Sequence, residues 1–200
     1  MTERLIAVVT AGLTTPSSSR LLADQLAAAV RDELSGRGIA SRVEIIEVRD
    51  YAHDLTNNLL TGFPSGELSK VLDTVTQADA VIAVTPTFSA SYSGLFKMFF
   101  DVLDDKALAG KPILLGATGG TERHSLVLEF ALRPLFAYLK ALPVPTGVYA
   151  ASTDWGTGAT KLRTRIAQAA TELVATLHHE TPRQADPYEN PTPFEDLLNG

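Results

Sequence analysis

The chain has 200 residues, of which 45% are hydrophobic and 20% are charged, the composition of a globular domain large enough to bury most of its apolar surface. Lys and Arg number 17 against 23 Asp and Glu, and the net charge of -6 argues against a nucleic-acid partner. The absence of cysteine excludes disulfides, thiolate zinc sites, cysteine nucleophiles and dithiol redox chemistry. Any redox function of this chain therefore requires a cofactor.

The first ten residues contain only a short apolar run after Glu3 and Arg4, without the small-residue cleavage site of a signal peptide. The longest apolar stretches elsewhere have the length of buried strands rather than of membrane spans. We therefore expect a cytoplasmic protein that does not enter the membrane.

Short β-branched runs alternate along the chain with longer segments of helical period. This alternation is typical of parallel strands joined by crossover helices, and it predicts a small doubly wound α/β sheet. The five predicted strands are residues 5–10, 42–48, 80–85, 112–117 and 144–150. Four helices are predicted from apolar residues three or four positions apart, beginning near Leu22, Leu95, Leu128 and Leu162.

Pro134 lies inside the third helical pattern, where its nitrogen cannot donate a hydrogen bond to the Phe130 carbonyl. We expect the helix to kink or to widen there. After Leu177 the apolar period is lost and prolines become frequent. The sequence therefore predicts one domain over residues 1–178 and a Pro-rich acidic C-terminal tail over residues 179–200.

The loop after the first predicted strand reads AGLTTPSSSR and opens directly into the first helix. Ligands of open parallel sheets bind beyond the carboxyl ends of the strands, where this loop lies. One serine would be explained by helix capping. Ser17, Ser18, Ser19 and Arg20 together favour a phosphate site, because hydroxyls, free first-turn amides and a positive charge would converge. The G-x-G-x-x-G pattern and the P-loop are absent, so a nucleotide monophosphate fits better than a dinucleotide.

Two further loops follow the third and fourth predicted strands. The first, over residues 85–94, is small and hydroxylated and carries Phe88, so that it offers amides and an apolar edge to a flat ring. A turn followed by a helix cap explains the same residues equally well. The second, over residues 116–121, has adjacent glycines that permit close approach of a planar ligand, although by itself it is explained as a turn.

Two motifs in these loops resemble the NADPH-dependent FMN reductase family of flavodoxin-like proteins, especially the branch that supplies reduced flavin to partner monooxygenases. The resemblance covers roughly residues 5–177. The first motif has the family's P-x-[YF]-x-x-S-x-x-G-x-x-K-x-x-x-D spacing, formed by Pro86, Phe88, Ser91, Gly94, Lys97 and Asp101. The second is similar to the family's A-T-G-G-x-x-x-H segment and is formed by Ala117, Thr118, Gly119, Gly120 and His124.

The resemblance implies a flavodoxin-like five-stranded parallel sheet of order 2-1-3-4-5 with helices on both faces. It also implies FMN and NADPH, or NADH, as cofactors, and a homodimer or homotetramer. The implied phosphate ligands are Ser17, Ser18, Ser19 and Arg20, although this first loop lacks the family's usual Gly-Ser-x-Arg opening. The implied residues around the ribityl chain and ring are Pro86, Thr87, Phe88, Ser89, Thr118, Gly119 and Gly120.

The chemistry implied is hydride transfer from a nicotinamide to N5 of FMN, which needs no side-chain acid or nucleophile. The backbone amides around Gly119 and Gly120 are expected to stabilise the charge that develops on the flavin. Arg123 is a candidate for the 2′-phosphate of NADPH and equally for a solvated surface residue, and no metal site is expected. Two alternatives stay open: an FMN-containing quinone or azo reductase, and a flavodoxin-like electron carrier without NADPH activity.

Overall fold

The computed structural model describes residues 3–177, and its centre is a twisted sheet. The strands in the described part of the chain are β1 Arg4–Thr10, β2 Ser41–Glu47, β3 Ala80–Phe88, β4 Ser91–Tyr92, β5 Pro112–Gly119, β6 Leu142–Pro143 and β7 Val148–Ala151. The order is β2-β1-β3-β5-β6, and β7 also pairs with β5. All of these pairings are parallel except that of the short β4, which turns back antiparallel along the end of β3.

Helices connect the parallel strands. They are α1 Ser18–Gly36, α2 Ala52–Thr61, α3 Gly66–Gln77, α4 Gly94–Asp101, α5 Arg133–Tyr138 and α6 Ala159–Thr176. Short 3-10 segments follow β2, β5 and β7, at Val48–Tyr51, Glu122–His124 and Ser152–Trp155.

The sheet is covered on both faces, as doubly wound folds require. Ile6 and Val8 of β1 pack on the same side as α1 and α6, whereas Ala7 and Val9 pack on the side of the other helices. On the first side α1 buries a stripe spaced three or four residues apart, which includes Leu22, Leu26, Val30 and Leu34. The predicted fold class is therefore confirmed, but the strand order differs slightly from the predicted 2-1-3-4-5, because β4 is added beside β3 and both β6 and β7 pair with β5.

The fifth predicted strand, over residues 144–150, is wrong in its boundaries. Instead of one strand the chain forms β6 and, after a break, β7. Pro143 and Pro145 lack the N–H that a continuous ladder needs. The Arg133 side chain, at the start of α5, stabilises the segment between β6 and β7 by donating to the carbonyls of Val144 at 3.0 Å and Pro145 at 2.5 Å.

The third predicted strand is longer than expected. Residues 80–85 were predicted, but β3 continues through Pro86 to Phe88 and reverses into β4. Ser89 and Ala90 form the reversal with positive φ angles of 48° and 65°. Such a pair of left-handed residues makes a tight hairpin turn, which the sequence did not indicate because the usual Asn-Gly pair is absent.

The expected irregularity before Pro134 is confirmed. Residues Leu128–Leu132 form a π-helical turn, and α5 begins at Arg133. The wider turn lies directly before Pro134, whose nitrogen cannot donate the usual helical hydrogen bond.

No helix within residues 3–177 is long and apolar enough to cross a membrane. The predicted tail over residues 179–200 lies outside the described residues. The domain boundary and the cytoplasmic location therefore stay predictions.

Candidate functional site

Three loops meet at the carboxyl edge of the sheet, because β1, β3 and β5 are neighbouring parallel strands. The backbone N–H of Ala11, just after β1, donates to the Val84 carbonyl of β3 at 3.0 Å. Pro86 of β3 lies beside Thr118 of β5 in the ladder register. A hydrogen bond of 2.8 Å between the buried hydroxyls of Ser19 and Thr118 then joins the first loop to the third. The structure therefore brings the three predicted loops together.

The first loop ends in a capped helix start. Ser17 is the N-cap of α1, and its Oγ accepts the backbone N–H of Arg20 at 3.3 Å. The loop folds so tightly that a Cβ on Gly12 would lie 1.9 Å from that Oγ. The remaining first-turn amides of α1 have no acceptor within the helix, and free amides of this kind can bind an anion.

The serines of this loop have different surroundings. Ser18 is exposed, whereas Ser19 is buried and its hydroxyl is already bonded to Thr118. The hydroxyls of Ser17 and Ser18 are therefore better placed to meet a ligand than that of Ser19, which positions the loop.

Arg20 lies against two carboxylates. Its Nε donates to Asp24 at 2.8 Å, and its Nη1 donates to Glu47. The hydrogen bond that Arg20 donates to Asp24, together with the charges of both acids, raises the pKa of Arg20 despite its partial burial. The guanidinium is thus fully charged and held at the side of the loop.

Arg49 is a residue of this edge that the sequence analysis missed. It lies in the 3-10 turn after β2, and its Nη1 donates to Thr15 Oγ1 in the first loop. Its Nη2 lies 3.1 Å from Glu47 Oε2. No sequence signal indicated this contact, because residues 15 and 49 meet only through the β1–β2 pairing.

The second loop is the hairpin of β3 and β4. The Thr85 hydroxyl accepts the backbone N–H of Ser93 at 3.0 Å, and Ser93 in turn caps α4. Beneath the hairpin, Tyr92 packs on Phe96, with ring centroids 6.0 Å apart. At the tip Phe88 is 46% exposed, so the structure presents this aromatic ring to solvent at the candidate site.

Pro86, Thr87 and Ser89 complete the predicted set in this loop. Pro86 and Thr87 are half-buried where β3 leaves the core, and Ser89 is exposed in the turn. Thr10 Oγ1, at the end of β1, is buried without a hydrogen-bond partner among the described residues, whereas the Thr87 hydroxyl interacts with the Tyr149 phenol. Unpaired buried hydroxyls are uncommon, and that of Thr10 lies at the edge where the loops meet.

The third loop is packed against Tyr149 of β7. Thr118 is buried, Gly119 is half-buried and Gly120 is exposed. The Tyr149 hydroxyl donates to the Thr121 carbonyl at 2.8 Å. A Cβ on Gly119 would lie 2.1 Å from the same hydroxyl, whereas a Cβ on Gly120 would meet nothing within 4 Å. Burial raises the pKa of the Tyr149 phenol, which therefore keeps its proton and remains a donor at neutral pH.

Arg123 and His124 follow in an exposed 3-10 turn. No ion pair joins Arg123 to another of the described residues, which leaves its guanidinium available. Within residues 3–177 no three His, Asp or Glu side chains gather in a group that could hold a metal ion.

These features define a flavodoxin-like α/β protein in which a helix start with free amides adjoins two loops suited to a planar group. The sequence matches the family described as NADPH-dependent FMN reductase over residues 5–156. A protein of Pseudomonas aeruginosa named FMN reductase (NADPH) is 41% identical over 150 residues, which are 75% of this chain and 78% of that protein. The chain belongs to the NADPH-dependent FMN reductase family.

Solved structures are similar over nearly the whole described chain. An oxidoreductase from Corynebacterium diphtheriae is 45% identical with a TM-score of 0.85, covering 88% of this chain and 97% of that one. The apo form of an NADH:FMN oxidoreductase, EMOB, is 28% identical with a TM-score of 0.73, covering 90% of this chain and 97% of that one. The relatives thus include proteins named for either nicotinamide nucleotide.

The residues present fit FMN. The α1 start offers amides and two hydroxyls to a phosphate, and the Gly12 cradle leaves no room for a side chain on the loop. The exposed Phe88 and the open Gly120 leave a surface on which a flat ring can lie. The unpaired hydroxyl of Thr10 is the kind of group that a bound ligand and its waters satisfy.

Proposed function

We propose that this protein catalyses the reduction of FMN by NADPH or NADH. The observation that carries the proposal is the Ser19–Thr118 hydrogen bond. It fixes the first loop, residues 11–20, called the phosphate-type loop, beside the third loop, residues 116–121, called the glycine loop, at one edge of the sheet. Family membership supports the reaction class. The phosphate would lie at the Ser17–Arg20 helix start, and the ring between the residues of the Phe88 hairpin and those of the Gly119 loop.

FMN, when bound, supplies the site with a group that accepts hydride at N5. The chain's part is to bind and orient, since no side-chain acid or nucleophile is needed. We propose that the amides of Thr118, Gly119 and Gly120 stabilise the negative charge that develops on the flavin, because dipoles fixed in advance need no reorganisation. The Tyr149 hydroxyl, by holding the Thr121 carbonyl, fixes the path of that loop.

The test is oxidation of NADPH and of NADH by flavin-stripped protein, with and without added FMN. The proposal expects turnover that saturates with FMN. Flavin binding without turnover would favour an electron carrier. Yellow protein that keeps its FMN and reduces quinones or azo dyes instead of free FMN would favour a quinone or azo reductase. A protein that shows no flavin binding and no turnover would contradict the proposal.

We propose further that reduced flavin leaves the protein for an acceptor, and that a flavin-dependent monooxygenase is the class of acceptor. The exposure of Phe88 and Gly120 supports release, since neither is covered by another part of the described chain. Equilibrium dialysis checks this step. An FMN that exchanges within minutes is expected, and an FMN retained through dialysis would contradict release.

We also propose that the protein is a homodimer or homotetramer. Large apolar side chains are exposed at Leu60 in the last turn of α2 and at Phe63 just after it, by 81% and 79%, and at Phe130, by 77%. Monomers seldom expose such groups together. Light scattering of the wild type and of a Leu60→Asp, Phe63→Asp variant tests this. We expect an oligomer that the double substitution weakens, and a monomeric wild type would contradict it.

A further inference from the structure

Glu47 lies between two arginines at the phosphate-type loop. It is the last residue of β2, and the β1–β2 register places it beside Thr10, where that loop begins. Its Oε1 accepts from Arg20, and its Oε2 lies 3.1 Å from Arg49 Nη2. The carboxylate is only 21% exposed, so solvent screens it less than it screens an ordinary surface acid.

Both arginines have a second acidic partner. Arg20 Nε donates to Asp24 at 2.8 Å, one helical turn further along α1. Arg49 Nε lies 3.5 Å from Asp50. Two guanidinium groups therefore face three carboxylates, and the cluster has no net positive charge despite its arginines.

A phosphate monoester carries about two negative charges at neutral pH, and it binds best to guanidinium groups with free N–H donors. Here Nε and Nη1 of Arg20, and Nη2 and Nε of Arg49, already lie against carboxylates. A phosphate at the α1 start has to compete with Glu47 for Arg20, and it lies close to the Glu47 charge. The helix start supplies amides and hydroxyls, but these are weaker than an unpaired arginine.

We propose that Glu47 determines the affinity of the site for the FMN phosphate, by neutralising Arg20 and Arg49 so that the flavin is held loosely enough to exchange. The proposal rests on the proposed function, because it assumes that FMN binds at this loop. By weakening the binding of the phosphate, Glu47 keeps FMN an exchanging substrate rather than a permanently bound group.

The test is titration of FMN and of riboflavin, which lacks the phosphate, by quenching of flavin fluorescence. Glu47→Gln removes one charge while keeping shape and an acceptor oxygen. We expect the Kd for FMN to fall about tenfold at low salt, as removal of one charge several ångströms from the ligand predicts. The Kd for riboflavin should stay unchanged, and the gain for FMN should shrink as salt is added.

Glu33→Gln is the matched control. Glu33 also forms an ion pair on α1, with Arg37 at 2.7 Å, but at the opposite end of the helix from the loop. This variant should bind both flavins as the wild type does. Asp24→Asn frees Arg20 from its other acidic partner and should also lower the Kd for FMN. This variant takes the place of Glu47→Gln if the latter fails to fold.

The proposal is overturned if FMN binds Glu47→Gln no more tightly than it binds wild type, or if riboflavin tightens equally. Weaker binding of FMN would show that Glu47 positions the arginines for the phosphate, and it would overturn the proposal too. Failure of this proposal is distinguishable from failure of the proposed function: a wild type that binds FMN and oxidises NADPH keeps the function, whereas one that binds no flavin removes both.

Discussion

The hydroxyl of Tyr149 occupies the place that a side chain on Gly119 would take. A Cβ built on Gly119 would lie 2.1 Å from that hydroxyl and 3.2 Å from the ring carbon that bears it. The same hydroxyl donates to the Thr121 carbonyl, so one group both requires the glycine and fixes the loop beyond it. Gly119 is therefore needed for the close approach of Tyr149 and not for its backbone conformation, since its φ lies outside the left-handed region.

Gly119→Ala should lower the free energy of unfolding by about 2 kcal/mol and weaken FMN binding, because the methyl group overlaps the phenol. Tyr149→Phe in the same chain should recover part of both losses, since it removes the overlapping oxygen. Gly120→Ala is the matched control, as its Cβ would lie in open space. Urea unfolding and flavin titration measure the effects. Equal destabilisation by the two glycine substitutions would contradict the account.

Ser17→Ala should separate capping from ligand binding. Ser17 and Ser65 are both N-cap serines whose hydroxyls accept a backbone N–H, at 3.3 and 3.4 Å. Replacement of either should cost about 1 kcal/mol of stability. Only Ser17→Ala should also raise the Kd for FMN, because only Ser17 lies at the phosphate-type loop. Flavin titration of both variants is the measurement, and similar Kd values for the two would count against a phosphate at α1.

The bond between Ser19 and Thr118 should appear as a coupling energy. Each hydroxyl is buried, so Ser19→Ala or Thr118→Val alone leaves one unpaired group, at a cost of about 1–3 kcal/mol. The double variant removes both groups and should cost less than the sum of the single changes. Urea unfolding of the four proteins gives the coupling. Strict additivity would show that the two loops are not joined by this bond.

Glu172 should make stability depend on pH. Burial alone would raise its pKa, but hydrogen bonds from the backbone and hydroxyl of Thr146, at 2.6 and 2.7 Å, and from Gln168 outweigh burial and lower the pKa. A carboxyl with a lowered pKa stabilises the fold above its unfolded pKa of about 4.3, and this contribution is lost as the pH falls towards the folded pKa.

Glu172→Gln should therefore cost about 1 kcal/mol at neutral pH and progressively less below about pH 4. Glu67→Gln is the control, because the Glu67–Lys70 pair is highly exposed and surface pairs contribute little. Urea unfolding across this pH range compares the two. A deficit of Glu172→Gln that grows as the pH falls would contradict the assignment.

Patterns local in sequence predicted most of the fold. The β-branched runs predicted the parallel core strands, and Pro134 predicted the widened turn that precedes α5. Helices α2 and α3 were missed. In α2 only Leu55 is a buried apolar residue, so no period is visible, whereas α3 does carry the helical spacing, at Leu68, Val71, Leu72 and Val75. The hairpin after β3 was missed because Ser89 and Ala90 are unusual residues for left-handed backbone.

The site was predicted only as far as its loops. Composition identified the three loops, and the parallel topology explains why they meet. The contacts that shape them come from distant residues: Tyr149 at Gly119, Arg49 at Thr15, and Glu47 at Arg20. Each depends on strand register, which a single sequence does not specify, so neither the pairing of Arg20 nor the role of Arg49 could be predicted.

The most direct test of the central claim is a crystal structure of the protein with FMN bound. The account predicts the flavin phosphate at the start of α1, within hydrogen-bonding distance of the first-turn amides and the Ser17 or Ser18 hydroxyl. It predicts the ring between Phe88 and the Gly119–Gly120 backbone. A flavin bound elsewhere, such as in the groove between α1 and α6 beside Asp32 and Arg37, would contradict it.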